Sequence, residues 1–381
     1  MIAVAGALIG AAMPAKAADL GGGCCGDLEE RVAELEATVA RKGNRVVSLQ
    51  VYGEIATALL IFDNGKESDA LVVDNDAITS RVGFKGESTI KPGLKAGYKA
   101  EFAFQKDSSS AVTEAQNGDD ATNFTIRHNF VYIESERFGR ISLGQTSTTS
   151  DGASGVSIAN TLAGPSPDVG TALTPGGVAA VGIATTLGGY ASDFGTSRND
   201  IVRYDSPTIY GFTASASWGD NDFWDVALRF AKEFNSVKVA AAIAYADSQQ
   251  TGKAAEDFTQ VIGSATAMHV PTGLFIMGAF GDRDYDNGVN GTFWFAQGGI
   301  ERKWLPYGAT TVYVEYGSYE DVAVAGTTAD MWGLGVVQHI DAASMDVYAQ
   351  ARFWDTEDNS LAGVTDGGDL STILIGAHIT F

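Results

Sequence analysis

Residues 94–105 read "LKAGYKAEFAFQ", with Leu94, Ala96, Tyr98, Ala100, Phe102 and Phe104 at every second position and Lys95, Gly97, Lys99 and Glu101 between them. Strict alternation of this kind is a β-strand with one apolar and one polar face. The same pattern recurs in "FWDVALRFAKEF" (223–234) and "MDVYAQARFW" (345–354), where the polar side carries Asp225, Arg229, Glu233 and Arg352. A soluble β-sandwich also alternates, but its strands commonly run to about 5–6 residues and its apolar faces meet each other. Charges this frequent do not fit a dry interior. The apolar face is therefore read as turned to lipid, and the charged one to enclosed water.

Sixteen such segments follow one another between residues 46 and 381. Short turns such as Lys91-Pro92-Gly93, Phe138-Gly139 and Asn235-Ser236 alternate with longer, acidic connections such as "DNGKESDALVVDND" (63–76). Hairpins with tight turns at one end and long loops at the other are the pattern of outer-membrane barrels. A strand of about 11 residues, tilted by about 45°, crosses roughly 26 Å, close to the lipid-facing band of such barrels. Sixteen strands enclose an aqueous channel. Hydrocarbon leaves no strand edge unpaired, so the last segment, "STILIGAHITF" (371–381), is expected to close the cylinder against the first, with Phe381 at the membrane boundary. The fold class is all-β: a 16-stranded antiparallel transmembrane β-barrel over 46–381.

The chain has 381 residues and a formal net charge of -22. That balance excludes nucleic acid as a partner, because phosphate binding needs basic patches. At the start, Ile2–Met13 is an apolar stretch followed by Ala15-Lys16-Ala17. The pattern predicts a secretory signal peptide over 1–17 and a mature chain from Ala18, although no basic residue precedes the apolar stretch. Cys24 and Cys25 are the only cysteines. Two adjacent thiols are not a metal site, and an inter-chain disulfide, free thiols and a strained vicinal bond all stay open. Within the segment 18–45, Leu28, Val32, Leu35 and Val39 recur at heptad spacing and predict a short helix over 27–42. Two heptads are marginal alone, so self-association is the favoured reading, with a lone surface helix as its alternative.

The order of these features, carried by "DLEERVAELEATVARKGNRVVSLQVYGEI", "SRVGFKGE", "FGRISLGQTST", "RYDSPTIYGF" and the closing "HITF", resembles the alphaproteobacterial general porins of rhizobial type. The resemblance covers essentially the whole mature chain. It implies a homotrimer of water-filled barrels in the outer membrane of a Gram-negative bacterium, crossed passively by small hydrophilic solutes and ions. It also implies that Ala377, Ile379 and Phe381 form the signal read by the barrel-insertion machinery. Outer-membrane lipid is the surrounding partner.

Residues 151–198 break the alternation, and loops of this length are usually functional or disordered. In the porins that the chain resembles, a loop from this position folds into the barrel and narrows it. That makes 151–198 the expected constriction loop. Period-2 reckoning turns Arg81, Lys85, Arg127, Arg140 and Arg203 to the lumen as a basic wall. Facing loop acids at Asp151, Asp168 and Asp193 would set a transverse field across the narrow part.

Other readings carry less. Asp282, Asp284 and Asp286 imitate a calcium loop, but position 12 is Phe293 rather than a bidentate Glu, and period 2 reads them as lumen-facing. His128, His269, His339 and His378 are scattered and lack catalytic or metal spacing, so no enzyme, metal or cofactor is expected. A structural role, tethering the membrane to the cell wall through helix 27–42, is the alternative function.

Overall fold

A computed structural model of the chain describes residues 46–115, 124–162, 164–177, 186–220, 222–249, 257–359 and 367–381. The expected signal peptide, both cysteines and the heptad positions Leu28, Val32, Leu35 and Val39 lie outside the described residues.

Each alternating segment forms a strand, and each strand runs antiparallel to its neighbours. In chain order they are β1 (Gln50–Asp63), β2 (Ser68–Asp74), β3 (Arg81–Lys91), β4 (Leu94–Phe104), β5 (Phe124–Ser135), β6 (Gly139–Ser147), β7 (Arg198–Asp205), β8 (Phe212–Gly219) and β9 (Trp224–Phe234). The sheet continues with β10 (Val237–Ser248), β11 (Phe258–His269), β12 (Leu274–Tyr285), β13 (Asn290–Leu305), β14 (Gly308–Glu320), β15 (Thr327–Ile340), β16 (Met345–Asp358) and β17 (Gly368–Thr380). Residues 57–63 of β1 pair with β2, while residues 50–54 pair with β3. The two segments share one place in the wall, so seventeen strands make sixteen staves.

The sequence pattern reads 63–76 as a connection and the alternation as resuming at 77–90; the ladder instead includes Ser68–Asp74 and is interrupted at 75–80. An Asn-led turn causes the break, in the way that Asn commonly hydrogen-bonds its own backbone. The Asn75 side chain accepts from Ala77 N–H at 3.0 Å, and its carbonyl accepts from Thr79 N–H at 2.9 Å. The Asn75 amide then donates to the Tyr348 hydroxyl at 2.8 Å, which draws this turn toward the lumen.

Closure follows the expected route. β1 and β17 pair from Glu54↔Thr380 to Asp63↔Ser371. The ladder runs on to the last residue, where Phe381 N–H donates to Gly53 O at 2.9 Å and Gly53 N–H to Phe381 O at 3.0 Å. The outward face is apolar, with Val51, Ile55 and Leu59 on β1 and Ile373, Ile375 and Ile379 on β17. Exposed aromatics gather at two levels, as interfacial anchors do. Phe138, Tyr210, Phe234, Trp304, Tyr307 and Phe381 lie at the short-turn end, and Trp218, Trp224, Phe280, Trp294 and Trp332 near the long-loop end.

Two expectations about the inner face are corrected. Asp282 and Asp284 point outward and are exposed, while Arg283 between them turns inward. The reason is phase: Leu274, Ile276 and Phe280 fix the even positions of β12 as its outer face. The lumen is also not uniformly polar. From β9 round to β2 the inward positions are largely apolar, including Ile262, Phe275, Phe295, Tyr313, Met331, Leu374 and Leu60, and they form one buried cluster.

The terminal ladder gives a direct test. A Cβ on Gly53 would stand 2.6 Å from the Phe381 ring and 2.7 Å from Arg81 O, whereas one on Gly155 meets nothing within 4 Å. Gly53→Leu is expected to cost about 1–3 kcal/mol through overpacking at the seam. It should lower the temperature at which the detergent-folded barrel loses its compact electrophoretic mobility, while Gly155→Ala leaves that temperature unchanged.

Candidate functional site

The described residues of the segment between β6 and β7 lie inside the barrel. Its root is fastened to the wall by a buried carboxylate, Asp225 of β9, which accepts from Ser150 N–H at 2.7 Å, from the Ser150 hydroxyl at 2.6 Å and from the Ser217 hydroxyl. Three donors on one carboxylate are strong charge-assisted bonds in a dry site. Arg229 donates to the carbonyls of Thr149 and Asp151 at 2.6 and 3.1 Å. At the return, Gln260 and Arg283 both donate to Phe194 O at 3.0 Å.

Further along, the loop crosses to β14 and β16. Arg352, which the alternation had turned to water, is buried and paired with Glu315 at 2.8 Å. Its remaining N–H groups donate to Ser166 O and Gly164 O at 2.8 and 2.7 Å, and the Tyr319 hydroxyl donates to Pro165 O at 2.5 Å. Backbone carbonyls of the loop thus give both terminal nitrogens an acceptor, in a guanidinium that would otherwise be buried with Glu315 alone. Leu162, Val169, Leu173, Leu187, Tyr190 and Phe194 pack into the apolar cluster of the inner wall. Asn160 reaches the short-turn end, where its N–H donates to Glu301 at 2.8 Å and its amide to Asp346 at 3.0 Å.

The other side of the lumen is bare of the loop's apolar packing. Among the described residues, strands β3 to β8 contribute nothing to the buried cluster. Register places seven cations on the inner face of β3 to β7, namely Arg81, Lys85, Lys95, Lys99, Arg127, Arg140 and Arg203. Four carboxylates stand among them: Glu87, Glu101, Glu134 and Asp205.

A β-bulge sets part of this wall. Opposite Glu101 and Phe102 the register shifts, so that both Arg127 and His128 reach the lumen side. Arg127 meets Glu101 at 3.0 Å, and His128 bonds the Thr146 hydroxyl at 3.1 Å. Glu101 also accepts from Lys99 at 3.0 Å and from the Tyr52 hydroxyl at 2.7 Å, which makes it the hub of the upper wall. Sequence reading puts Lys99 and Glu101 on the water-facing side but names only Arg127 of this group for the narrow part, and it leaves His128 without a role. The signal was present: Phe124 and Ile126 face outward on even numbers, Val131 and Ile133 on odd ones, and only an inserted residue reconciles the two.

The five expected basic residues occupy one wall but differ in what they do. Arg81 is paired with Glu54 and donates to Ile78 O at 2.9 Å. Arg203 forks onto Asp205 and donates to Ser147 O and Thr148 O at 2.9 and 3.0 Å, so it holds the loop root. Lys85 lies over the Tyr52 ring at 5.1 Å, and Arg140 over Tyr132 at 3.6 Å. Two of the three loop acids, Asp168 and Asp193, are engaged within the loop. Asp168 accepts from the Ser166 hydroxyl at 2.7 Å, Asp193 from the Ser154 hydroxyl at 2.8 Å and from Gly195 N–H at 3.0 Å, and Asp151 lends its carbonyl to Arg229. The ion pairs of the basic wall are made instead with Glu54, Glu101, Glu134 and Asp205.

Two of the scattered histidines come together at the seam. His378 bonds Glu54 at 2.7 Å and His339 bonds Asp346 at 2.8 Å, with His378 3.7 Å from the same Asp346. These contacts tie β1, β15, β16 and β17 at the short-turn end of the lumen. Among the described residues no group of three or more His, Cys, Asp or Glu is arranged to hold a metal ion.

Comparison with known proteins agrees with this geometry. The anion-selective porin from Comamonas acidovorans superposes with a TM-score of 0.61 at 16% identity, over 88% of this chain and 100% of that one. OmpT of Vibrio cholerae, in its trimer form, gives 0.57 at 18% identity over 88% and 100%. OmpF of Salmonella typhi, in complex with daunomycin, gives 0.59 at 14% identity over 87% and 97%. No curated protein sequence matches the chain. The sequence profile of Gram-negative porins, however, matches residues 3–359, and with that extent the chain belongs to the Gram-negative porin family, an outer-membrane barrel through which solutes diffuse passively.

Proposed function

We infer that solutes pass between the 151–198 loop and the bare wall of β3 to β7, and that this passage prefers anions. The observation that carries the reading is the asymmetry of the lumen: apolar packing holds the loop against one side, while the other keeps seven cations against four carboxylates. Rings of fixed charge at a narrow point select ions by sign. The net charge of -22 does not decide the matter, since exposed acids beyond a Debye length of about 8–10 Å are screened.

Further features of the proposal rest on sequence. Association as a homotrimer is supported by the heptad at 27–42 and by the trimeric form recorded for the Vibrio protein. Membership of the rhizobial subgroup rests on the quoted motifs. Cleavage after Ala17 rests on the signal pattern, and recognition of Ala377, Ile379 and Phe381 during insertion on the terminal strand.

In a planar bilayer under a KCl gradient, the reversal potential should carry the sign of chloride preference. Exchanging the two least engaged cations of the wall, Lys85→Glu with Arg140→Glu, should move it toward potassium. A wild-type potential of the opposite sign would refute the reading.

The loop's hold on the wall should show in conductance. Arg352→Leu leaves Glu315 buried without its partner, a change that costs about 3–5 kcal/mol in comparable buried pairs. Single-channel records should then show larger and noisier openings.

Burial pushes the Asp168 carboxyl up to about 6, with Asp193 and Asp76 adding to the effect and the Ser166 hydroxyl and Arg352 opposing it. A released loop would return this acid to its ordinary 3.8. Docking is therefore unaffected at pH below 3.8, weakens as pH rises, and carries its full penalty of about 3 kcal/mol above about 6. Brief openings of higher conductance should become more frequent from about pH 4 to about pH 6 and level off above that, and Asp168→Asn should abolish that trend.

A further inference from the structure

We propose that the bare wall holds organic anions that carry a flat apolar group, with aromatic carboxylates as the class that fits. The proposal rests on the preceding reading of this wall as the open side of the passage. A cavity of about 330 Å³ opens there, lined by Lys85, Lys99, Phe130, Arg140 and Arg203 among others. That volume is at the small end for ligand sites, and suits a single ring with its carboxylate.

The cations around the cavity are not equivalent. Lys99 is engaged by Glu101, and Arg203 by Asp205 and two carbonyls. Lys85 makes no ion pair among the described residues. Arg140 has a buried Nε with no hydrogen-bond partner, its nearest carboxylate, Glu134, standing off at 3.8 Å. The guanidinium is nevertheless held in place, because Tyr132 supports it from below at 3.6 Å. Tyr132 in turn lies across Gly97, where any Cβ would meet the ring at 2.4 Å. Gly97, Tyr132 and Arg140 form a stack that holds the guanidinium with its side chain 35% exposed to the lumen, where a carboxylate can reach it.

Phe130 supplies the second half of the site. It faces the lumen opposite Lys99 and is only half-buried. A large apolar ring left partly in water among cations is a standing cost that burial under a ligand would relieve. Its ring neighbours, His128 and Tyr132, lie edge-on and tilted at 6.0 and 6.3 Å, and neither stacks on it face to face. A carboxylate received by Arg140 and Lys85 would bring an attached ring onto Phe130. Acetate and inorganic phosphate share the charge but have nothing to place there.

The test applies benzoate, acetate or inorganic phosphate to the full-length channel in a planar bilayer and reads block of the KCl current. Benzoate is expected to block at concentrations roughly tenfold below acetate, the scale that one aromatic contact supplies. Phe130→Ala should remove most of that difference while leaving acetate unchanged, and Arg140→Gln should weaken both. Phe130→Leu, which keeps apolar bulk, replaces the alanine variant if the latter fails to fold, as judged by electrophoretic mobility, and should weaken benzoate in part. Equal block by benzoate and acetate, stronger block by phosphate than by benzoate, or benzoate block indifferent to these substitutions would overturn the proposal. The reversal potential, measured on the same channels, separates this from a failure of anion preference itself.

Discussion

Everything in this protein depends on the ladder between the first and last strands. Hydrocarbon offers no partner to a backbone N–H or C=O, and each one left unpaired there costs several kcal/mol. A sheet in lipid is stable only as a cylinder. The register from Glu54↔Thr380 to Asp63↔Ser371, extended by the reciprocal bonds of Gly53 and Phe381, removes the last edge. Side chains reinforce the seam on its inner side, where His378 bridges β17 to Glu54 of β1. Once the cylinder is closed, every strand has a fixed inside and outside, and each functional residue inherits its direction from that parity.

Closure creates a second problem, which the 151–198 loop solves. A sixteen-stave cylinder is too wide for side chains alone to fill, yet half of its inner face is lined with residues such as Phe295, Tyr313, Met331 and Leu374. Water against such a surface is unfavourable. The loop covers it, and the wall supplies polar anchors where the loop's own backbone would otherwise be stranded: Asp225 at the root, Arg283 and Gln260 at the return, Arg352 in the middle. On the covered half the charges are spent on anchoring the loop; on the half that it leaves bare, seven cations stand against four carboxylates.

These features were unequally legible in the sequence. The strands were readable because hydrophobic parity is local: "LKAGYKAEFAF" (94–104) announces its two faces without reference to the rest of the chain. The inward direction of Lys85, Arg140 and Arg203 followed from the same parity. The interruption at Asn75 hid one short strand, since an acidic, Asn-rich stretch resembles a loop whether or not half of it joins the ladder. The outward aspartates of β12 were misread because their phase was taken from one another, not from Leu274 and Ile276. What parity cannot give is the partner. Arg352 is an inward arginine on any reading, but that it is buried depends on Gly164 and Ser166, which are 188 and 186 residues away. The loop acids suffered likewise: a carboxylate in a loop looks free until the hydroxyls of Ser166 and Ser154 are seen to occupy it.

The same distinction between a charge and its partners governs how the overall acidity should be weighed. A count of -22 sums groups that differ in whether a passing ion can feel them. Asp225 carries a full formal charge, but its oxygens are satisfied by three donors behind the loop. Asp282 and Asp284 lie on the outer surface, on the far side of the wall from the lumen. Glu101 is surrounded by Arg127, Lys99 and Tyr52, so its field is largely cancelled where it stands. Subtracting the closely matched charges of that wall leaves Lys85 and Arg140, the first without an ion pair among the described residues and the second only loosely opposed by Glu134 at 3.8 Å, their cationic heads resting on the faces of Tyr52 and Tyr132. Support of that kind holds a cation in place without neutralising it. A channel built this way can be acidic as a molecule and basic at its wall, because selectivity follows the charge that remains unpaired where the solute passes.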